Sequence, residues 1–130
     1  LIEQCGGFVG EPVKVVAGGP MMGLAQYDLD VPVTKGTSGI LVLTGDEARG
    51  HAELPCIRCG KCVEVCPIHL MPLMISAYSL KGDYENSEEL HALDCMECGS
   101  CSYICPARRP LMQSIRLAKR EIILKKKRSV

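Results

Sequence analysis

One cysteine pattern occurs twice in this 130-residue chain. The first copy runs from Cys56 to Pro67 and the second from Cys95 to Pro106, and both read C-x2-C-x2-C-x3-C-P. Three thiols at steps of three residues allow one loop to surround three corners of an iron–sulfur cubane, whereas the fourth thiol, set off by an extra residue and followed by proline, is directed away. We therefore expect the chain to fold around two iron–sulfur clusters.

The fourth cysteine of each run decides which residues share a site, because in two-cluster ferredoxins it ligates the other cluster. On that pattern the first site consists of Cys56, Cys59, Cys62 and Cys105. The second consists of Cys95, Cys98, Cys101 and Cys66. We predict that these eight thiols bind two [4Fe–4S] clusters. Gly60 and Gly99, at equivalent places in the two loops, are expected to form left-handed turns that bring backbone N–H groups towards the cluster sulfurs.

Other roles for the cysteines fit less well. Zinc sites use four ligands, commonly as two separated C-x2-C pairs, and a run of three at equal spacing departs from that pattern. Disulfides belong to oxidising compartments, and the start of the chain lacks the features of a signal peptide. The ninth cysteine, Cys5, is predicted to be a buried, inert thiol at a helix end. The remaining candidate ligands are expected to be surface or packing residues: His51, His69 and His91.

Charge is balanced overall but not along the chain. Fifteen basic and fifteen acidic side chains give a formal net charge of zero, yet residues 107–130 carry +8 and residues 1–106 carry −8. The basic segment lacks interleaved aromatic residues and its cations are spread around a helix, so we exclude nucleic acid as a partner. A solvated helix end, or docking to an acidic partner or membrane surface, is the better interpretation.

We also find no general acid, base or nucleophile, and predict no catalytic residue.

The charges next to the two sites have opposite signs. Cations flank the first site: Arg58, Lys61, Arg108 and Arg109. Carboxylates lie close in sequence to the second: Glu64, Asp94 and Glu97. Since cations stabilise the added electron of a reduced cluster and carboxylates oppose it, we hypothesise that the first cluster has the higher reduction potential. Arg58→Glu and Glu97→Lys should then shift the two potentials in opposite directions.

The first part of the chain is rich in Gly, Val and Pro and predicts strands over residues 13–17 and 40–43. Residues 1–7 have the pattern of a last helical turn that ends in glycine, so we expect a truncated helix there. Thr44 and Glu47 fit a capping box, which predicts a short helix to about Leu54 that links the two halves.

The second part predicts helices. Apolar spacing indicates a helix over residues 71–80, and Asn86 or Ser87 is expected to cap a short helix through Leu93. Pro110 can start a helix with an apolar stripe formed by Leu111, Ile115, Ala118 and Ile122. The methionines near the cysteine motifs are expected to pack around a buried group: Met71, Met74 and Met112.

The order of motifs resembles a known family. Residues 18–23 (GGPMMG), residues 30–33 (DVPV) with 35–40 (KGTSGI), and then the doubled cysteine motif look like the C subunit of the Rnf electron-transport complex. The resemblance covers essentially the whole chain. It implies a flavin- and nicotinamide-binding domain first, then a β-grasp domain called SLBB, then two [4Fe–4S] clusters. FMN and NAD are accordingly expected only in an upstream domain that this chain lacks. The 39-residue interval between Cys56 and Cys95 favours an α-helical ferredoxin fold.

We therefore expect an α+β chain: the end of an SLBB-like domain at 1–45, a helical linker at 46–55, a two-cluster ferredoxin domain at 56–120 and a basic tail at 121–130. The resemblance implies electron relay within a ferredoxin:NAD oxidoreductase coupled to ion translocation. It also implies a peripheral location on the cytoplasmic side of the membrane, reached through partner subunits, with ferredoxin or another iron–sulfur protein as partner. The alternatives are the cobalamin reductase of propanediol-utilisation compartments and a zinc-stabilised interaction module.

Overall fold

A computed structural model describes residues 1–48 and 52–128, apart from the side chains of residues 46 and 47. The chain divides into two compact units, residues 1–51 and 52–130. Within the described residues, no helix is long and apolar enough to cross a membrane.

The first unit is built on an antiparallel sheet with strand order β2-β1-β3. Its strands are β1 (Pro12–Ala17), β2 (Leu24–Gln26) and β3 (Ile40–Thr44). Val15 pairs with Gln26 on one side and with Val42 on the other, and it is buried together with Val16. The two predicted strands are confirmed, and β2 was missed because its three residues carry no alternation of their own.

The glycine-rich loop at residues 18–23 joins β1 to β2 as a tight turn. The Gly23 N–H donates to the Gly19 carbonyl at 2.8 Å. A Cβ on Gly23 would lie 2.5 Å from Val16 Cγ1 and 2.6 Å from that same carbonyl oxygen. Only glycine fits there, so this motif has a structural explanation.

At the start of the chain a 3₁₀ turn (Glu3–Cys5) ends at Gly6, which has φ +100°. The predicted glycine-terminated helical turn is therefore confirmed. Cys5 is exposed, so the expectation of a buried thiol was wrong. A 3₁₀ turn that buries none of its residues offers this side chain no cover.

The capping-box helix predicted from Thr44 does not form in the described residues. Thr44 is the last residue of β3, a 3₁₀ turn covers Gly45–Ala48, and residues 52–60 contain no helix. Gly45 has φ +49°, which places the first expected helical residue in a left-handed conformation. Residues 49–51, which the prediction also covered, lie outside the described residues.

The second unit is helical. It contains α1 (Lys61–Glu64), α2 (Pro72–Leu80), α3 (Tyr84–Glu89), α4 (Ser100–Tyr103) and α5 (Leu111–Arg128), with a 3₁₀ turn at Ala92–Asp94. The helices predicted over 71–80 and after Pro110 are confirmed. Helix α5 continues without a break through the boundary expected at residue 120.

Helix α3 begins earlier than predicted. Asp83 is its N-cap and accepts a hydrogen bond from the Asn86 N–H at 3.1 Å, a role that the sequence pattern assigns to Asn86 or Ser87. The Asn86 side chain also donates to Asp83, and these two bonds lower the pKa of the Asp83 carboxyl. The helix ends at Glu89 instead of reaching Leu93.

The sequence repeat is also a backbone repeat with an offset of 39 residues. Helix α1 corresponds to α4, and the first residue of α2, Pro72, corresponds to Leu111, the first residue of α5. Three pairs of equivalent residues share positive φ angles: Arg58 and Glu97 (55° and 58°), Gly60 and Gly99 (77° and 81°), and His69 and Arg108 (54° and 53°). The two cysteine loops therefore follow the same path, and the expected left-handed glycines are confirmed.

Helices α2 and α5 pack against each other and form the core of the second unit. Ile75 and Ile115 are buried at their contact, and the whole predicted stripe of α5 is buried. Two hydrogen bonds cross the contact: Ser114 Oγ donates to Ser76 Oγ at 2.7 Å, and Ser79 Oγ donates to the Ser114 carbonyl at 2.6 Å. Small serines on both helices allow this close approach.

The three methionines differ in their surroundings. Met112 is buried beside Cys101, as expected. Met71 and Met74 are 48% and 38% exposed, so the packing role predicted for them was wrong.

Candidate functional site

Two cavities lie among the cysteine loops. The first is lined by four cysteines: Cys56, Cys59, Cys62 and Cys105. The second is lined by the other four: Cys66, Cys95, Cys98 and Cys101. Each cavity therefore combines three cysteines of one motif with the fourth cysteine of the other.

The short helices explain this exchange. Cys62 lies within α1, which ends at Glu64, so Cys66 follows outside the helix. Pro67 has no N–H and cannot extend the helical hydrogen bonding, which turns the chain away at this point. Helix α4 has the same relation to Cys101 and Cys105. The extra residue before the fourth cysteine thus carries it from one cavity to the other.

Backbone N–H groups point at the sulfurs of the loops. The Arg58 N–H donates to Cys56 Sγ and the Leu70 N–H to Cys66 Sγ, both at 3.4 Å. The left-handed conformation of Arg58 turns its own N–H towards the loop, and His69, also left-handed, precedes Leu70. Hydrogen bonds to cluster sulfurs help to set the reduction potential of iron–sulfur sites.

Burial changes the acidity of the thiols. It raises the pKa of Cys101 to about 11, and it also raises the pKa values of Cys62 and Cys95. The Cys98 thiol differs, because hydrogen bonds from the Ser100 side chain and N–H lower its pKa. The three thiols with raised pKa values therefore carry protons in the metal-free chain, and metal binding must release those protons.

The residues around the cavities fit an iron–sulfur cluster. Cysteine thiolates are the protein ligands of such clusters, and each cavity is lined by four cysteines that could supply them. Arg109 lines the first cavity, and among the described residues its buried Nε has no hydrogen-bond partner. A cluster sulfide would supply an acceptor for it. In the described part of the chain, no group of three or more His, Cys, Asp or Glu residues could hold a single metal ion.

The two sites differ in exposure. Cys56 and Cys59 of the first cavity are exposed, whereas Cys66 and Cys101 of the second are buried. The second site is covered by core residues, including Met112 and Ile115, which are 3% and 1% exposed. The second site is therefore the better shielded from water.

The charge difference between the sites is smaller than the sequence indicates. The Glu97 carboxylate forms ion pairs with two cations of α5. Arg116 Nε lies 2.7 Å from its Oε2, and Lys119 Nζ lies 3.0 Å from its Oε1. Burial raises the pKa of Glu97, but the hydrogen bonds and charges of Lys119 and Arg116 outweigh it and lower the pKa overall. At the first site, Arg109 is paired with Glu53 at 3.3 Å.

Sequence reasoning missed Arg116 and Lys119 as residues of the second site. They lie 19 and 22 residues after Glu97, inside the basic segment of residues 107–130. The 39-residue repeat places α5 beside the second loop and was the one signal that could have found them. His69 and His91 are exposed and line neither cavity, and His51 lies outside the described residues.

Comparison with known proteins agrees with this geometry. Residues 50–106 match the family of 4Fe-4S dicluster domains. This match overlaps both cysteine motifs.

Longer proteins resemble nearly the whole chain. It is 59% identical over 128 residues to the C subunit of the Na(+)-translocating ferredoxin:NAD(+) oxidoreductase complex of Acetobacterium woodii, covering 98% of the chain and 29% of that protein. It is 55% identical to the proton-translocating counterpart of Clostridium ljungdahlii, over 92% of the chain and 26% of that protein. The C subunit of the ion-translocating oxidoreductase complex of Methanosarcina acetivorans is 47% identical over all 130 residues, 29% of its length.

The chain thus spans less than a third of the length of these relatives. Their similarity extends over 92–100% of the chain and includes the glycine-rich segments as well as the cysteine motifs. The resemblance predicted from the sequence is confirmed: nearly the whole chain is similar to a segment of the C subunits of ion-translocating oxidoreductase complexes.

Proposed function

We propose that the second unit relays single electrons through two [4Fe–4S] clusters. The observation that carries this proposal is the exchange of the fourth cysteine: each cavity is lined by three thiols of one motif and one of the other. Cys56, Cys59, Cys62 and Cys105 would ligate the first cluster, and Cys95, Cys98, Cys101 and Cys66 the second. This arrangement holds two clusters close together, as electron relay requires.

A bound [4Fe–4S] cluster supplies a centre that accepts and releases one electron. The protein determines how readily it does so. The N–H groups of Arg58 and Leu70 and the side chain of Arg109 stabilise negative charge on sulfur. Met112 and Ile115 exclude water from the second site, whereas the exposed Cys56 and Cys59 leave the first open to solvent or to a partner. These differences favour unequal potentials at the two sites.

For the whole protein we propose the activity that the names of its relatives give, ferredoxin:NAD oxidoreduction coupled to ion translocation. FMN and NAD would bind upstream of this chain, and residues 1–45 would complete an SLBB-like β-grasp domain. Other members of the complex and ferredoxin or another iron–sulfur protein would be partners, with membrane contact through those members on the cytoplasmic side. The relatives named for sodium and for protons are 59% and 55% identical to the chain, so likeness to this segment does not select the ion.

Anaerobic redox titration tests the relay. The loaded chain should take up about two electrons, one at each centre, because each cubane changes its charge by one. A Cys98→Ala chain, which would lack the second cluster, should take up about one. The first centre should have the higher potential, and Arg58→Glu should lower it. A chain that takes up no electrons in this titration contradicts the relay.

A further inference from the structure

A charged network ties the second cysteine loop to helix α5. Arg116 Nε donates to Glu97 Oε2 at 2.7 Å, and Lys119 Nζ pairs with Glu97 Oε1 at 3.0 Å. The Lys119 ammonium also donates to the carbonyl oxygen of Cys95 at 2.6 Å. Two turns of one helix thus contact both the loop's acidic side chain and the backbone of a cysteine that lines the second cavity.

The network is more than a surface ion pair. The side chains of Glu97, Arg116 and Lys119 are only 27%, 29% and 18% exposed. Glu97 lines the second cavity and has φ +58°, a conformation that is unfavourable for a residue with a side chain. Hydrogen bonds that hold Glu97 in this conformation also hold the loop that presents Cys95 and Cys98.

Among the described residues, the corresponding positions of the first loop and α2 form no such network. In the repeat, Arg58 stands at the place of Glu97, Ala77 at the place of Arg116, and Leu80 at the place of Lys119. Helix α2 therefore offers no cation to the first loop from these positions. The two sites have the same backbone path but different support.

We propose that Glu97, Arg116 and Lys119 are positioning residues that hold the second cysteine loop in its cluster-binding conformation and make the second cluster the more firmly retained of the two. This inference rests on the proposed two-cluster function. It gives part of the basic segment a specific role, because two of its cations support a metal-binding loop instead of a docking surface.

The test measures iron release from each site separately. A Cys62→Ala chain carries only the second cluster and a Cys98→Ala chain only the first, under the proposed ligand sets. Each is loaded anaerobically and exposed to an iron chelator, and the loss of cluster absorbance is followed with time. In the chain that carries only the second cluster, Glu97→Gln should accelerate iron release about tenfold or more. The reason is that a hydrogen bond to a charged group contributes a free energy equivalent to a rate change of about that size. With only the first cluster present, Glu97→Gln should change the rate less than about twofold.

Two further variants separate positioning from general destabilisation. Glu85→Gln removes the exposed pair with Lys125, whose side chains are 81% and 70% exposed, and should leave both rates unchanged. Lys119→Arg retains the cation and should release iron more slowly than Lys119→Gln, which serves as the second probe if Glu97→Gln does not fold. Equal acceleration at both sites, or none at the second, overturns the inference. Failure of both single-site chains to bind any iron would instead overturn the two-cluster proposal.

Discussion

A chain carrying both Cys66→Ala and Cys95→Ala is expected to retain about four iron atoms, whereas a chain carrying both Cys66→Ala and Cys56→Ala is expected to retain none. Cys66 is adjacent in sequence to the first motif but lines the cavity of the second. Removing Cys66 with Cys95 therefore damages one site twice and spares the other. Removing Cys66 with Cys56 damages both sites. Iron content per chain is the measurement.

The two double variants control for each other, because both lose the buried Cys66. If each motif instead supplied all four ligands of its own cluster, the results would be reversed: the Cys66 and Cys56 pair would retain iron and the Cys66 and Cys95 pair would lose it. The single variants should each retain about four iron atoms. Helical circular dichroism of every variant checks that the loss of iron is not a loss of the fold.

Ile115→Ala is expected to lower the free energy of unfolding by about 2–5 kcal/mol, the usual cost of truncating a large buried aliphatic side chain. Ile115 is 1% exposed, belongs to the core cluster shared by α2 and α5, and lines the second cavity. The change should therefore also weaken retention of the second cluster. Denaturant unfolding of the loaded chain, followed by helical circular dichroism under anaerobic conditions, gives the stability difference.

Leu117→Ala is the matched control on the same helix. Leu117 is 43% exposed, so the same kind of truncation should cost much less than at Ile115. Equal losses of stability for the two variants would show that the contact between α2 and α5 is not the core of this unit.

The sequence predicted elements best where a pattern was long. The apolar stripe of helix α5 runs from Leu111 to Ile122, and helix α2 has a proline at its first position, so both helices could be predicted. Strand β2 is three residues long and exists because β1 pairs with it, which no local pattern reveals. The capping box at Thr44 failed because the strand pairing of β3 extends through that residue and Gly45 then turns left-handed.

The parts of the candidate site that depend on neighbouring residues in the sequence could be predicted. The spacing of the cysteines and the two loop glycines depends on a dozen consecutive residues, and the structure lines its two cavities with the eight cysteines that the motif singled out. The cations that neutralise Glu97 come from a distant helix, and sequence proximity therefore overstated the negative charge of the second site.

The charge of the basic tail is also partly neutralised by residues that are distant in sequence. Lys125 and Lys126 pair with Glu85 and Glu88 of α3, the first pair at 2.6 Å. The hydrogen bond from Lys125 to Glu85 raises the pKa of the lysine. Much of the positive charge interpreted as a docking surface is thus directed at the acidic residues of this unit itself.

Assay of iron and acid-labile sulfide in the anaerobically loaded chain tests directly whether its eight motif cysteines bind two [4Fe–4S] clusters. Two [4Fe–4S] clusters held by eight thiols predict about eight iron atoms and about eight sulfides per chain. Metal analysis of the same sample should find zinc near zero. About two zinc atoms per chain with no labile sulfide would contradict the account, because thiolate zinc sites contain no inorganic sulfide.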